Sequence, residues 1–104
     1  MAVILARRRR MAFASDDLFS GTIEERARAS SSFIAYCGRY SIPSHGEIVH
    51  RIGTSLYPNR SGTTQQRFFT LKANRLTLRT PPMPLAGGLR TGVLLWQRAR
   101  GRFS

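Results

Sequence analysis

The chain has 104 residues, 41% of them hydrophobic, with 17 basic residues against five acidic ones and a single cysteine. That length suits one domain and the apolar fraction suffices for a core, which excludes a compositionally disordered chain. One cysteine excludes an internal disulfide framework and suits a reducing compartment, so a cytoplasmic location is expected, and no apolar run approaches the roughly 18 residues of a membrane-crossing helix.

Residues 1–7 form a short β-prone run that breaks at four arginines, residues 7–10. A secretory signal has the opposite order, charge before apolar stretch. An arginine-rich, acid-free start resembles a mitochondrial transit peptide, but the run reads as a strand. Residues 11–17 read as loop. Thr22-Ile-Glu-Glu25 is a capping box, with the Thr22 hydroxyl accepting from the Glu25 amide and Glu25 reaching back. It opens a short helix over 22–31, whose acidic first turn suits the positive helix end.

From Phe33 the apolar period changes to two. Residues 33–42 place Ile34, Tyr36, Tyr40 and Ile42 on one face, and 43–46 form a turn. Residues 47–55 place Ile48, His50, Ile52 and Thr54 on one face, with Glu47 and Arg51 on the other. A longer loop over 56–62 precedes a strand at 64–71. Ala73-Asn74 makes a tight turn into a strand at 75–80, where Leu76 and Leu78 share a face. Three prolines and two glycines assign 81–88 to a loop. Residues 89–98 read as the last strand and 99–104 as a polar tail, so the domain is assigned to 1–98. The fold class is mainly β: an antiparallel meander with one short helix, and meanders protect their edges by rolling into barrels.

The net charge of +12 invites a nucleic-acid reading. The basic residues are sixteen arginines and one lysine, Lys72, mostly dispersed singly through the strands. Such a skew fits coding bias, and the pattern reads as a solvated basic surface with no specific nucleic-acid partner.

Several segments, in this order, carry a family resemblance: Phe13-Ala-Ser-Asp-Asp-Leu18, Thr22-Ile-Glu-Glu25, Phe33-Ile-Ala-Tyr-Cys-Gly-Arg-Tyr40, His50, Ser55-Leu-Tyr-Pro-Asn59, Gly62-Thr63, Arg67-Phe-Phe69, Leu76-Thr-Leu-Arg-Thr-Pro-Pro82 and Leu95-Trp-Gln-Arg98. Together they resemble the lipocalin-like domain of bacterial and fungal proteins over nearly all of residues 1–98. The resemblance implies a small antiparallel β-barrel with a helix at its side. Family members begin with further strands, including a Gly-x-Trp segment, which residues 1–7 do not match. Six strands are therefore expected where a closed barrel has eight, giving an incomplete barrel with two open edges and edge-mediated dimerisation as one outcome. A misassigned start codon and a truncated copy both explain that pattern.

The candidate site residues follow from the faces. His50 lies between Ile48 and Ile52, where a neutral imidazole can hydrogen-bond a ligand or act as acid and base; a core histidine satisfied by a neighbour is the plainer reading. Arg67 alternates with Phe69 and Leu71, and on an inward face its guanidinium would clamp a ligand carboxylate, although Phe68 and Phe69 both claim the core. Tyr36, Tyr40 and Trp96 offer large apolar bodies with polar tips, for a ligand or for ordinary packing. No His, Cys, Asp or Glu set has metal-ligand spacing, and no cofactor is implied. The expected function is binding of a small hydrophobic molecule in the barrel interior. A small-metabolite isomerase or cyclase using His50, and a truncated copy without function, are the alternatives.

Overall fold

A computed structural model describes residues 1–100. The end of the polar tail, 101–104 with Arg102, lies outside the described residues. The elements are β1 (Ala2–Ala6), α1 (Ile23–Ser31), β2 (Phe33–Ser44), β3 (Glu47–Ser55), a 3-10 turn (Pro58–Arg60), β4 (Thr64–Lys72), β5 (Arg75–Arg79), β6 (Met83–Leu85), β7 (Gly88–Arg90) and β8 (Val93–Gln97). Six strands pair in the order β1-β2-β3-β4-β5-β8, and β6 pairs with β7 as a separate ladder. The protein is mainly β and antiparallel with one helix, and the strand order is open, with β1 and β8 each having one neighbour. No helix among the described residues is long and apolar enough to cross a membrane.

The contacts divide the chain into two units. The first holds Met1–Arg39 and Ile52–Thr63. Here β1 pairs with the start of β2 in the register Val3↔Tyr36 and Leu5↔Ile34. Thr22 caps α1: its Oγ1 accepts from the Glu25 N–H at 3.1 Å, and its own N–H donates to Glu25 Oε1 at 2.9 Å. The other carboxylate oxygen accepts from the Ala14 N–H at 2.9 Å, so Glu25 ties the preceding loop to the helix start. These backbone hydrogen bonds hold its carboxyl below the ordinary carboxylate range. Arg10, read from sequence as solvated charge, has a structural role. It donates to Ser32 Oγ and Ala29 O, and its guanidinium stacks 4.8 Å from the Phe33 ring centroid.

The second unit holds Tyr40–Arg51 and residues 64 onward. The β2–β3 connection is tighter than the sequence suggests. β2 continues through Ser44, and Gly46 turns the chain at φ +82, a value glycine adopts without a Cβ penalty. Phe69 N–H donates to the Gly46 carbonyl at 2.8 Å, fastening this turn to β4. Ala73 takes φ +53 in the β4–β5 turn.

Residues 81–88 are not all loop, and the last strand does not begin at Leu89. Met83–Leu85 pairs with Gly88–Arg90 across Ala86 and Gly87, both at positive φ, the backbone of a tight hairpin turn. Pro84 is tolerated because a two-stranded ladder leaves each strand an outer edge where no donor is needed. Gly92 then separates β7 from β8. Its N–H donates to Thr80 Oγ1 at 2.8 Å, and its carbonyl accepts from the Thr80 N–H at 2.9 Å. A Cβ there would sit 3.4 Å from Thr80 Cγ2, an ordinary van der Waals contact.

Candidate functional site

One face of the second unit collects the apolar and buried polar side chains. The registers Ile48↔Arg67 and His50↔Gln65 align β3 with β4. Phe69↔Leu78 and Leu71↔Leu76 align β4 with β5, and Leu78↔Leu94 and Leu76↔Trp96 align β5 with β8. Because side chains alternate, these paired residues share a face. The cross-strand row Phe69–Leu78–Leu94 runs next to Leu71–Leu76–Trp96. Only Leu78 of these is buried; Phe69, Leu76, Leu94 and Trp96 are half-buried and Leu71 is 59% exposed. The face is therefore apolar but incompletely covered.

Two polar groups are more deeply buried than most of that apolar row. His50 is 4% exposed and Arg67 is 7% exposed. Their registers make them diagonal neighbours across β3 and β4, with Cα atoms about 7–8 Å apart. Burial first, and then the positive charge of Arg67, lower the His50 pKa from its ordinary 6.5, so the imidazole is neutral at pH 7. A neutral imidazole keeps one donor and one acceptor. Arg67 Nη1 donates to the Gln66 carbonyl at 2.7 Å, which turns the guanidinium along its own strand. Trp96 Nε1 is buried and has no hydrogen-bond partner among the described residues. A buried donor left unmade costs about 1–3 kcal/mol.

The sequence-derived candidates separate as follows. His50, Arg67 and Trp96 belong to the second unit, on the face just described. Tyr40 also belongs to that unit but is 58% exposed on β2. Tyr36 belongs to the first unit, half-buried opposite Val3. Sequence reasoning passed over Phe69, Leu76, Leu78 and Leu94 as site residues. Their signal was present in the alternation of β4, β5 and β8, but that alternation marks a core face and a binding face alike. Thr80, also buried, is engaged with Gly92. Cys37 is exposed. Among the described residues no group of three His, Cys, Asp or Glu could hold a metal ion.

An open antiparallel ladder with a capped helix before its second strand, and an apolar face that gathers buried polar groups, defines a small β-domain of the lipocalin type. The chain belongs to the lipocalin-like domain family: the family model matches residues 1–99. It is also 34% identical, over 90 residues, to the 4'-hydroxy-3'-methoxypropiophenone carrier protein ppsC of Aspergillus oryzae (strain ATCC 42149 / RIB 40). That alignment covers 79% of this chain and 81% of the carrier. No solved structure matches the chain significantly.

Proposed function

We propose that the protein binds and carries a small, mostly apolar aromatic molecule bearing oxygen acceptors, held on the Phe69–Leu78–Leu94 face of the second unit. The observation that carries this reading is the burial of His50 and Arg67 beside an apolar row that the unit covers only partly. Ligand sites combine such an apolar lining with a few placed polar groups. The relative's aryl ketone, with ketone, phenol and methoxy oxygens, has the matching chemistry. Its ring would extend the half-buried row. The Arg67 guanidinium, which only donates, and the neutral His50 imidazole suit its oxygens. The Trp96 indole N–H is a further donor, without a hydrogen-bond partner among the described residues.

Isothermal titration of the whole chain with 4'-hydroxy-3'-methoxypropiophenone, and with propiophenone lacking both ring substituents, tests the reading. The substituted ketone is expected to bind more tightly. Arg67→Met is expected to weaken it about tenfold or more, since a hydrogen bond to a charged group contributes about 1.5–3 kcal/mol. Equal affinity for both ketones, or an unchanged Arg67→Met, contradicts the proposed anchors. Chemical conversion of a bound ketone, lost in His50→Gln, would instead favour an isomerase or cyclase.

A further inference from the structure

The opposite face of the second unit has its own chemistry. Side chains there form a three-by-three grid set by the registers Phe68↔Arg79↔Val93, Thr70↔Thr77↔Leu95 and Lys72↔Arg75↔Gln97. Neighbouring strands lie about 4.8 Å apart and successive rows about 7 Å apart. A depression in this face is lined by Thr70, Lys72, Arg75, Thr77, Arg79 and Leu95, among others. Lys72, Arg75 and Arg79 are exposed, and none makes a side-chain hydrogen bond or ion pair with another described residue. Lys72 and Arg75 are directly opposite in the ladder, a like-charge placement that destabilises a sheet. The only carboxylate side chain of the second unit among the described residues, Glu47, accepts from Ser44 Oγ and the Gln66 amide. Leu95, 79% exposed, and Val93, 57% exposed, flank the cations with apolar surface. An occupant that is anionic and apolar together fits this surface.

The same sequence supplies a segment of that description. Four of the five acidic residues, Asp16, Asp17, Glu24 and Glu25, fall within one ten-residue stretch. Asp16 and Asp17 precede Leu18 and Phe19, which are 83% and 84% exposed. The tip is held in shape by its own hydrogen bonds. Asp17 Oδ1 accepts from the Phe19 N–H at 3.0 Å, Asp17 Oδ2 accepts from Ser20 Oγ at 2.7 Å, and the Asp17 N–H donates to Ser15 Oγ at 3.0 Å. A preformed tip loses less conformational entropy on docking than a loose segment.

We infer that the cationic depression of β4, β5 and β8 receives the Asp16–Asp17–Leu18–Phe19 tip of a second copy of this chain. The two surfaces are different, so the contact is head-to-tail, and a pair keeps one free tip on one copy and one free depression on the other. A symmetric pairing of the depressions would oppose cations to cations. Nucleic acid would satisfy the charge but leaves Leu95 and Val93 without apolar partners.

Sedimentation velocity of the whole chain over a concentration series reads the contact. The wild type is expected to associate with concentration. A depression variant, Arg75→Glu with Arg79→Glu, and a tip variant, Asp16→Asn with Leu18→Ser, are each expected to associate about tenfold or more weakly. An equimolar mixture of the two variants is expected to recover a one-to-one heterodimer and stop there, because each supplies the surface the other lacks. The milder Arg75→Gln, expected to weaken association in the same direction, serves if the double reversal fails to fold. A monomeric wild type, variants that associate as the wild type does, or a mixture that stays monomeric each overturns the inference. So does a short oligonucleotide that binds the wild type but not the depression variant while the chain alone stays monomeric.

Discussion

Replacing Leu78 by alanine tests how the second unit is held together. Leu78 is 7% exposed and sits in register between Phe69 and Leu94, so truncation removes the centre of the row. Burying a leucine contributes about 1.5–3 kcal/mol, and leucine-to-alanine changes in well-packed cores cost about 2–5 kcal/mol once the cavity is included. Phe69 and Leu94 are only half-buried, so they can close over the gap, and the lower part of that range applies, about 2–3 kcal/mol. In a domain of this size each kcal/mol moves the Tm by about 4–8 °C, so a fall of at least about 8 °C is expected. Leu71→Ala is the control: Leu71 is 59% exposed at the end of β4, and its loss should stay within about 0.5 kcal/mol. Urea unfolding followed by tryptophan fluorescence measures both, since Trp96 is the chain's single tryptophan. Equal costs for Leu78→Ala and Leu71→Ala would refute the view that this row is the unit's organising core.

Acid should destabilise the fold through His50. The folded imidazole has a lowered pKa while the unfolded one titrates near 6.5, so the unfolded chain takes up the proton first as pH falls. Stability is therefore full above that value and is lost as pH drops from it toward the lower folded pKa; urea midpoints between pH 7.5 and 5 should show this slope, and His50→Gln should flatten it. At the helix start, Thr22→Ala removes the acceptor for the Glu25 N–H and should cost about 1 kcal/mol, whereas Thr22→Asp should retain most of it. Matched thermal unfolding of the two cap variants separates them, and equal losses would contradict the capping role.

Much of the fold was legible because strict two-residue alternation leaves little freedom of register. In β3 the alternation put His50 with Ile52 and opposite to Arg51, and His50 and Ile52 are buried while Arg51 is exposed. The capping box named its own donor and acceptor and marked the helix start. Arg67 was harder, since adjacent Phe68 and Phe69 both compete for the core. The ladder decides it: Arg67 is buried and Phe69 half-buried, and Phe68 is left on the cationic face at 38% exposed. The β6–β7 hairpin was hidden by its prolines, whose exclusion from central strands does not extend to an isolated pair. Tyr40 and Ile42 follow the apolar period yet remain 58% and 55% exposed, because alternation fixes a side chain's face and not whether another element covers it. The same gap separates core from binding face on β4, β5 and β8.

Binding of a small aromatic ligand on the incompletely covered apolar face of the second unit, as proposed above, can be read from the chain's own tryptophan. Trp96 stands on that face in register with Leu76, and its indole N–H is a donor without a partner among the described residues. Tryptophan fluorescence during titration of the intact chain with a phenolic aryl ketone reads the face directly, with Leu95→Ser on the opposite face as reference. A saturable change in Trp96 emission is expected, persisting in Leu95→Ser and weakened in Arg67→Met. An emission that never saturates, or a response abolished by Leu95→Ser and untouched by Arg67→Met, would contradict it.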